Sequence, residues 1–200
     1  IKTAKSEQVE KYLFGLKDKQ RIEAVKMHYH NQNKDWTSLC LSSQVGCNLG
    51  CKFCATGKIG LKRNLTADEI ISQPLFFIQQ KEKLDTLVFM GMGEPLVNPN
   101  IFQTLDLLTD DKLFNYSPRR ISISTVGILP QLKKLTNEYD QINVAFSLHS
   151  PFQKQREQLM PIAKKYSIAE VMKVLDEHIR KHSRKVFIPY LMLKGINDTP

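Results

Sequence analysis

Short apolar segments alternate with amphipathic helical segments along most of this sequence, and this alternation constrains the fold more than any other feature. The strand-like segments are Trp36–Ser42, Thr86–Met90, Ile121–Val126, Ile142–Leu148 and Val186–Leu193. Helical patterns separate them, and two of these begin at capping boxes, Thr66 with Glu69 and Ser167 with Glu170. Apolar strands joined by helices are typical of a parallel sheet with right-handed βα crossovers. The sequence therefore predicts an α/β fold, a curved sheet or partial barrel of about five βα units.

A β-hairpin is predicted ahead of the first of these strands. Val9–Leu16 and Ile22–His30 alternate apolar and polar side chains on either side of the polar turn Lys17–Gln20. We therefore expect two parts, an N-terminal β-hairpin extension over residues 1–35 and an α/β core over residues 36–200.

Prolines and capping residues predict local details of the core. Asn98 followed by Pro99 predicts the start of a helix, with Asn98 as the N-cap and Pro99 at the first helical position. Pro74 falls inside the first helix of the core, where a proline removes a hydrogen bond and costs ~3 kcal/mol, so we expect a kink or an early break. Pro189 lies in the last strand-like segment and suits a sheet edge or a bulge.

Composition excludes several classes of protein. The chain has 200 residues, 42% of them hydrophobic and 24% charged, which is typical of one globular domain and excludes a disordered or fibrous chain. No apolar run approaches the ~18 residues of a membrane span and no secretory signal is visible, so we expect a cytoplasmic protein without a membrane partner. The net charge of +9 suits a polyanionic partner, although it can also serve solubility alone.

All four cysteines lie within one fifteen-residue window, at Cys40, Cys47, Cys51 and Cys54. A disulfide scaffold would spread its cysteines along the chain, so this cluster indicates metal binding or redox chemistry in a reducing compartment. The last three have the spacing C-x3-C-x2-C, whereas structural zinc sites and electron-transfer cubanes usually take four protein ligands. A cubane held by three cysteines leaves one iron free to bind a small molecule. The alternative is a zinc site in which Cys40, or His149 from a distant loop, supplies the fourth ligand.

Other unusual segments also fall where predicted strands end. Gly91–Pro95 follows the second strand of the core, Ser124–Gly127 closes the third and Ser147–His149 closes the fourth. The carboxyl ends of parallel strands meet at one edge of the sheet and carry the chemistry in folds of this kind. We therefore expect these segments and the cysteine loop to form one site.

These motifs resemble those of the radical SAM superfamily, whose enzymes use S-adenosylmethionine (SAM), and more closely those of its Cfr/RlmN family of 23S rRNA adenosine methyltransferases. The segments that carry the resemblance are Cys40–Cys47, Cys51–Leu65, Phe89–Glu94, Arg119–Thr125 and Phe146–Pro151. The resemblance covers nearly the whole chain. It implies a partial (βα)6 barrel of the radical SAM type.

Two groups of positions bear on which adenine carbon is methylated. The segments Ala55–Gly60, Ser150–Phe152 and Asp176–Arg180 look more like the members of the family that act on carbon 8. Val45 and Pro95 look more like the members that act on carbon 2. The resemblance therefore implies methylation of adenosine 2503 at carbon 8, which gives resistance to ribosome-targeting antibiotics, with carbon 2 as the alternative.

The resemblance also assigns roles to individual residues. It implies that Cys47, Cys51 and Cys54 hold a [4Fe-4S] cluster whose open iron binds SAM, and that one electron from the cluster releases a 5′-deoxyadenosyl radical. The implied SAM contacts are Gly93, Glu94, Ser124, Ser147, Leu148 and His149. Glu94 is suited to pair with the ammonium group of SAM. Taken singly, the strand-end serines and His149 are more often satisfied structural groups.

Cys40 matches the cysteine that, in this family, resolves a covalent RNA–protein intermediate formed on a methylated cysteine near the C-terminus. Such a thiol must ionise and then form a disulfide that releases the product. A lone strand cysteine is otherwise a small buried apolar side chain. No cysteine follows Cys54, and the segments expected for RNA binding and methyl acceptance are missing. We therefore expect a fragment of a longer enzyme, unable to complete methyl transfer alone.

The partners implied by the resemblance are 23S rRNA, in its peptidyl transferase region, and an external electron donor, and we expect a monomer. Lys58, Lys62 and Arg63 flank the cysteine loop and suit contacts with phosphates. An interpretation from another class stays open. It is a zinc-stabilised nucleic-acid-binding module without catalysis, in which Cys40 completes a four-cysteine site.

Overall fold

The computed structural model describes residues 1–32 and 34–198 of the chain. The strands are β1 (Lys2–Lys5), β2 (Val9–Gly15), β3 (Arg21–Asn31), β4 (Lys34–Cys40), β5 (Gln44–Val45), β6 (Arg63–Asn64), β7 (Thr86–Phe89), β8 (Ile121–Thr125), β9 (Asn143–Phe146) and β10 (Val186–Phe187). The α-helices are α1 (Ala55–Ile59), α2 (Ala67–Gln79), α3 (Ile101–Thr109), α4 (Leu129–Glu138), α5 (Gln153–Leu159) and α6 (Ile168–His182). None of the helices in these ranges has both the length and the apolar composition of a membrane span.

Eight of the strands form one mixed sheet in the order β1-β2-β3-β4-β7-β8-β9-β10. The strands from β1 to β4 pair antiparallel, whereas those from β4 to β10 pair parallel. Helices connect the parallel strands, as the alternation of segments predicts. The α/β class and the parallel core are therefore confirmed. The remaining strands, β5 and β6, form a short ladder at either end of the cysteine loop.

The two faces of the parallel strands differ because successive side chains point in opposite directions. Leu87 of β7 and Ile123 of β8 are fully buried in the hydrophobic core, which includes apolar side chains of α2, α3, α4 and α6. The opposite face carries Val88, Ser122 and Ser124, which are only partly buried. This more open face leads to the carboxyl ends of the strands, where the predicted site residues lie.

The N-terminal extension belongs to the same sheet as the core. The predicted hairpin is confirmed as β2 and β3, and β1 adds a third strand that the sequence pattern does not predict. Pairing continues from β3 to β4, and the division at residue 35 falls inside β4, so the two-part division stays a prediction. Buried Lys26 of β3 forms ion pairs with Glu10 of β2, at 2.9 Å, and with Glu82 beyond α2. The first ion pair joins two strands of the extension, and the second joins the extension to the segment that follows α2.

The helix α2 is continuous through Pro74. Of the two predicted alternatives, the early break is therefore wrong, and the kink stays a prediction. The predicted capping box is present, because the Thr66 hydroxyl accepts from the Glu69 N–H and the Glu69 carboxylate accepts from the Thr66 N–H. Ile70 and Phe77, on either side of the proline, are fully buried. Capping and burial together offset the cost of the missing backbone donor.

Asn98 is not the N-cap of α3 and Pro99 is not its first residue, contrary to the prediction, because Asn100 occupies the cap position. The buried side chain of Asn98 instead donates to the carbonyl oxygens of Ser43, at 2.7 Å, and Leu65, at 2.9 Å. A buried amide that finds two carbonyl oxygens satisfies more polar groups than a helix cap would. Asn98 therefore anchors the segment after β7 to both sides of the cysteine loop.

The last strand is much shorter than predicted. Only Val186–Phe187 pairs with β9, and the chain leaves the sheet edge before Pro189. A proline has no N–H to extend the ladder, which explains the early end. The carbonyl oxygen of Pro189 instead accepts from the N–H of Leu148, at 3.2 Å. The final two positions of the predicted core lie outside the described residues.

Replacement of Asn98 by Ala is expected to lower the free energy of unfolding by about 1–3 kcal/mol, because the buried carbonyl oxygens of Ser43 and Leu65 would lose their donor. Equilibrium unfolding in urea measures the change. Asn137→Ala alters an exposed asparagine of α4 and serves as the control, with an expected effect within about 0.5 kcal/mol. Equal stability of the two variants would contradict the anchoring role of Asn98.

Candidate functional site

The loops that follow β4, β7, β8 and β9 surround one cavity of about 280 Å³. The predicted site residues that line it are Cys47, Cys51, Cys54, Gly93, Glu94, Ser124, Ser147 and His149. Cys40 and Leu148 are the two predicted residues that are not part of its lining. Four distant segments of the sequence therefore meet at the carboxyl ends of the parallel strands, as the topology predicts.

The cysteine loop closes on itself next to its first cysteine. Gly46 has a φ of +79°, and a Cβ atom at this position would lie 1.8 Å from the carbonyl oxygen of Gly60. The N–H of Cys47 donates to the same oxygen, at 3.2 Å. Only glycine fits at this crossing of two chain segments. This contact brings Gly46 and Gly60 together and closes the segment between them into a short loop. The three cysteines of this loop line the cavity.

Burial keeps Cys47 and Cys51 protonated in the metal-free protein. It raises the pKa of Cys47 above its usual value and the pKa of Cys51 to about 12, with smaller contributions from the neighbouring thiols and Glu94. Such thiols ionise when they bind a metal cation, so three of them around one cavity form a metal donor set. Within residues 1–32 and 34–198, no three Cys, His, Asp or Glu side chains are gathered as for one metal ion. Cys47, Cys51 and Cys54 line the same cavity, and cysteine thiolates are the usual ligands of iron-sulfur clusters.

The turn after β7 packs directly against the chain that enters the cysteine loop. Gly93 has a φ of +99°, and a Cβ atom there would lie 2.5 Å from the side chain of Gln44. The N–H of Met92 donates to the Ser42 hydroxyl and the N–H of Glu94 donates to the Gln44 side chain, both at 2.9 Å. The turn therefore exposes backbone rather than a side chain to the cavity at Gly93.

Glu94 is a buried carboxyl group without a basic partner among the described residues. It is 4% exposed and accepts from the backbone N–H of Leu96, at 3.3 Å, and of Val126, at 3.0 Å. Burial raises the pKa of Glu94 to about 7. A cation in the cavity would favour the ionised form and lower that pKa. The site therefore provides an acceptor for an ammonium group beside the three cysteines.

His149 lines the cavity as a neutral side chain. Its Nδ1 accepts from the N–H of Leu191, at 3.0 Å, so the proton of the neutral ring is on Nε2. Burial, together with the charge of Arg156, lowers the pKa of His149. The ring stands edge-on to Phe53 of the cysteine loop, with centroids 4.9 Å apart. A protonated Nε2 cannot ligate a metal, which disfavours His149 as the fourth ligand of a zinc site.

The strand-end serines and Leu148 contribute differently to the cavity. The hydroxyl oxygens of Ser124 and Ser147 lie 3.4 Å apart in the cavity wall. The N–H of Leu148 donates to Pro189, and its carbonyl oxygen accepts from Arg156. Leu148 therefore supports the wall through its backbone, whereas the serine hydroxyls are at the cavity surface.

Cys40 lies at the end of β4, outside the cavity lining. It pairs with Val88 of β7, and its sulfur accepts from the backbone N–H of Met90. Because its neighbour Leu39 points into the core, Cys40 points to the more open face of the sheet. Burial raises the pKa of Cys40 to about 11. The thiol is therefore neutral at pH 7 in this state, and its resolving role stays a prediction.

Two buried polar residues at the site are absent from the sequence-based predictions. Gln44 joins the turn at Glu94 to the far end of the cysteine loop, and Arg156 donates to carbonyl oxygens at the ends of β8 and β9. Arg156 lies in the polar run Gln153–Gln158, which looks like an exposed helix in sequence. No local signal separates these two side chains from solvent-exposed ones.

The basic residues beside the cysteine loop are not equivalent. Lys58 and Lys62 are exposed. Arg63 instead forms ion pairs with Asp18 and Glu69, both at 2.7 Å. It therefore joins the hairpin turn to the start of α2 rather than offering its charge to a phosphate.

Comparison with known proteins gives matches in sequence over nearly the whole chain. The family model described as the Radical SAM superfamily matches residues 41–200. The chain is 56% identical over 194 residues to the "Ribosomal RNA large subunit methyltransferase Cfr" of Staphylococcus warneri, and 54% identical over 199 residues to the protein of the same name from Bacillus velezensis. These matches cover 97% and 100% of this chain but 55% and 56% of the two relatives. The chain therefore spans about half the length of the curated relatives it matches.

The fold also matches a solved structure, a radical SAM methyltransferase from Sphaerobacter thermophilus. The TM-score is 0.92 and the sequence identity is 34%. The match covers 100% of this chain and 59% of that chain. The likeness therefore includes the N-terminal extension as well as the parallel core.

Glu94 is expected to make the metal-free protein less stable as the pH rises. Its pKa is about 7 when folded and about 4.5 when unfolded, so between these values the folded state binds the extra proton. On account of this group, the free energy of unfolding should fall by about 3 kcal/mol from about pH 4.5 to about pH 7.5.

Urea unfolding at the two pH values measures this dependence, and Glu94→Gln should abolish it. Glu138→Gln alters an exposed carboxylate of α4 and should keep the pH dependence of the wild type. An unchanged dependence in Glu94→Gln would show that another group causes it.

Proposed function

The chain belongs to the radical SAM superfamily, and from this premise we propose that it forms the catalytic core of an enzyme that methylates an adenosine of 23S rRNA. The observation that carries the proposal is the meeting of three cysteines and the buried carboxyl group of Glu94 at one cavity. The relatives named as ribosomal RNA methyltransferases, at 54% and 56% identity, support the substrate class.

Cys47, Cys51 and Cys54 are the proposed ligands of a [4Fe-4S] cluster. Their thiols line the cavity from one loop, and thiols of this kind ionise when they bind iron. Gly93 lines the same cavity, and its lack of a side chain lets the turn after β7 pack against Gln44. A cluster held by these cysteines would supply one electron for the reductive cleavage of SAM, and an external electron donor would be needed to reduce it again.

The remaining cavity residues are proposed to bind SAM. Glu94 would pair with its ammonium group. Burial disfavours the ionised carboxylate, and the positive charge of the ammonium group would offset that cost. Ser124 and Ser147 offer hydroxyl groups, and His149 offers its Nε2–H, to the polar groups of the ligand. Leu148 contributes through the backbone that supports the wall.

For the substrate, we assign methylation to carbon 8 of the adenine, with carbon 2 as the alternative, because Ala55–Gly60 and Ser150–Phe152 resemble the members that act on carbon 8. Exposed Lys58 and Lys62 suit contacts with RNA phosphates. Cys40, on the open face of the sheet, is the proposed resolving cysteine. We propose that methyl transfer needs a longer protein, which contains the partner cysteine of Cys40 and the RNA-binding segments. We further propose that this protein acts as a monomer in the cytoplasm.

Anaerobic reconstitution with iron and sulfide tests the cluster. We expect a brown iron-sulfur chromophore that Cys51→Ala loses. Cys40→Ala changes the cysteine outside the cavity, so this matched control should keep the chromophore. Absorption and paramagnetic resonance spectra measure both. Colourless protein with stoichiometric zinc would support the zinc-stabilised nucleic-acid-binding module and reject the radical chemistry.

The substrate is tested in cells that carry the full-length gene. Mass spectrometry of 23S rRNA should show a methyl group on carbon 8 of an adenosine in the peptidyl transferase region, and cells with the Cys51→Ala variant should lack it. A methyl group on carbon 2 would support the alternative. Unmodified rRNA from cells with cluster-loaded protein would reject the methyltransferase assignment.

A further inference from the structure

Arg156 is a fully buried guanidinium group behind the cavity wall. Its Nε donates to the carbonyl oxygen of Leu148, at 3.1 Å, and its Nη2 donates to those of Val126, at 2.8 Å, and Ser147, at 3.1 Å. The guanidinium carbon lies 4.9 Å from the ring centroid of Phe146. Nη1 has no hydrogen-bond partner within residues 1–32 and 34–198. The side chain is therefore bonded to neutral oxygens, without a carboxylate among them.

Among the residues that the structure describes, no carboxylate forms an ion pair with this buried positive charge. Burial lowers the pKa of Arg156 to about 10, which leaves the group protonated at pH 7. A buried cation needs an anion, or hydrogen bonds to all of its donors, to replace its lost hydration. Carbonyl oxygens satisfy the donors of Nε and Nη2, but those of Nη1 and the net charge remain uncompensated.

Arg156 lies directly behind the wall of the cavity that the three cysteines line. Its Nη2 donates to the carbonyl oxygens of Val126 and Ser147, and both residues are part of the cavity lining. Three thiolates bound to iron would form an anionic group at the cavity, and reduction would add a further negative charge.

We propose that Arg156 is a positioning residue and the buried counter-charge of the cluster. It holds the ends of β8 and β9 through their carbonyl oxygens, and its charge stabilises the reduced cluster more than the oxidised one. The reduction potential is therefore higher than it would be without the charge. Arg156 is not part of the cavity lining, so it acts through the wall rather than by touching the ligand. The inference rests on the proposed function, because it needs a cluster at the three cysteines.

A redox titration of the reconstituted full chain, followed by paramagnetic resonance, tests this inference. Arg156→Gln removes the charge and should change the redox equilibrium constant at least tenfold in favour of the oxidised cluster. This change lowers the midpoint potential by ~59 mV for one electron. Arg156→Lys keeps the charge, and its redox equilibrium constant should stay within about threefold of the wild-type value. Lys154→Gln removes an exposed charge from the same helix, and its redox equilibrium constant should stay within about twofold of the wild-type value.

Equal potentials in the wild type, Arg156→Gln and Lys154→Gln would overturn the counter-charge, because a purely structural clamp changes stability without changing the potential. If Arg156→Gln takes up no iron, the Arg156→Lys variant tests the role of the charge instead. Iron uptake and a potential near the wild type in the lysine variant support the charge, whereas loss of iron from both variants, with the iron-free chains folded by circular dichroism, overturns it. Wild-type protein that takes up no iron would instead refute the proposed function, so the two failures are distinguishable.

Discussion

The candidate site depends on the packing of the turn after β7 against the chain that enters the cysteine loop. The buried side chain of Gln44 accepts from the N–H of Glu94, and Asn98 donates to the carbonyl oxygens of Ser43 and Leu65. Buried polar networks of this kind stabilise a single arrangement when their members are satisfied. The hydrogen bonds therefore set the distance between the cysteines and the carboxyl group. The cysteines and Glu94 lie in separate loops, and these hydrogen bonds hold the two loops together.

Much of the fold and the place of the site could be predicted because they depend on periodicity and chain order. The alternation of apolar strands with amphipathic helices indicates parallel pairing, and parallel pairing brings Ser124, Ser147 and His149 to the same edge as the cysteines. The capping boxes at Thr66 and Ser167 are also visible in sequence, because both partners of each box lie within one helical turn.

The errors and omissions concern residues whose partners are distant along the chain. Asn98 beside Pro99 looks like a helix cap, yet its amide binds carbonyl oxygens 55 and 33 residues away. Pro74 looks like a helix breaker, yet buried neighbours and a sound cap keep α2 continuous. Arg156 lies in a polar run, and only tertiary packing buries it. Local pattern contains none of this information, because each outcome is decided by burial rather than by propensity.

The pairing of β3 with β4 has a consequence for any shortened form of this protein. Seven residue pairs join the two strands, from Val25 with Cys40 to Asn31 with Lys34. The first parallel strand therefore has a partner on each side, β3 on one and β7 on the other. A polypeptide starting at Trp36 would leave the backbone donors and acceptors on the β3 side uncovered, and an exposed edge of this kind can pair with a strand of another chain. The hairpin extension covers this side of the parallel strands.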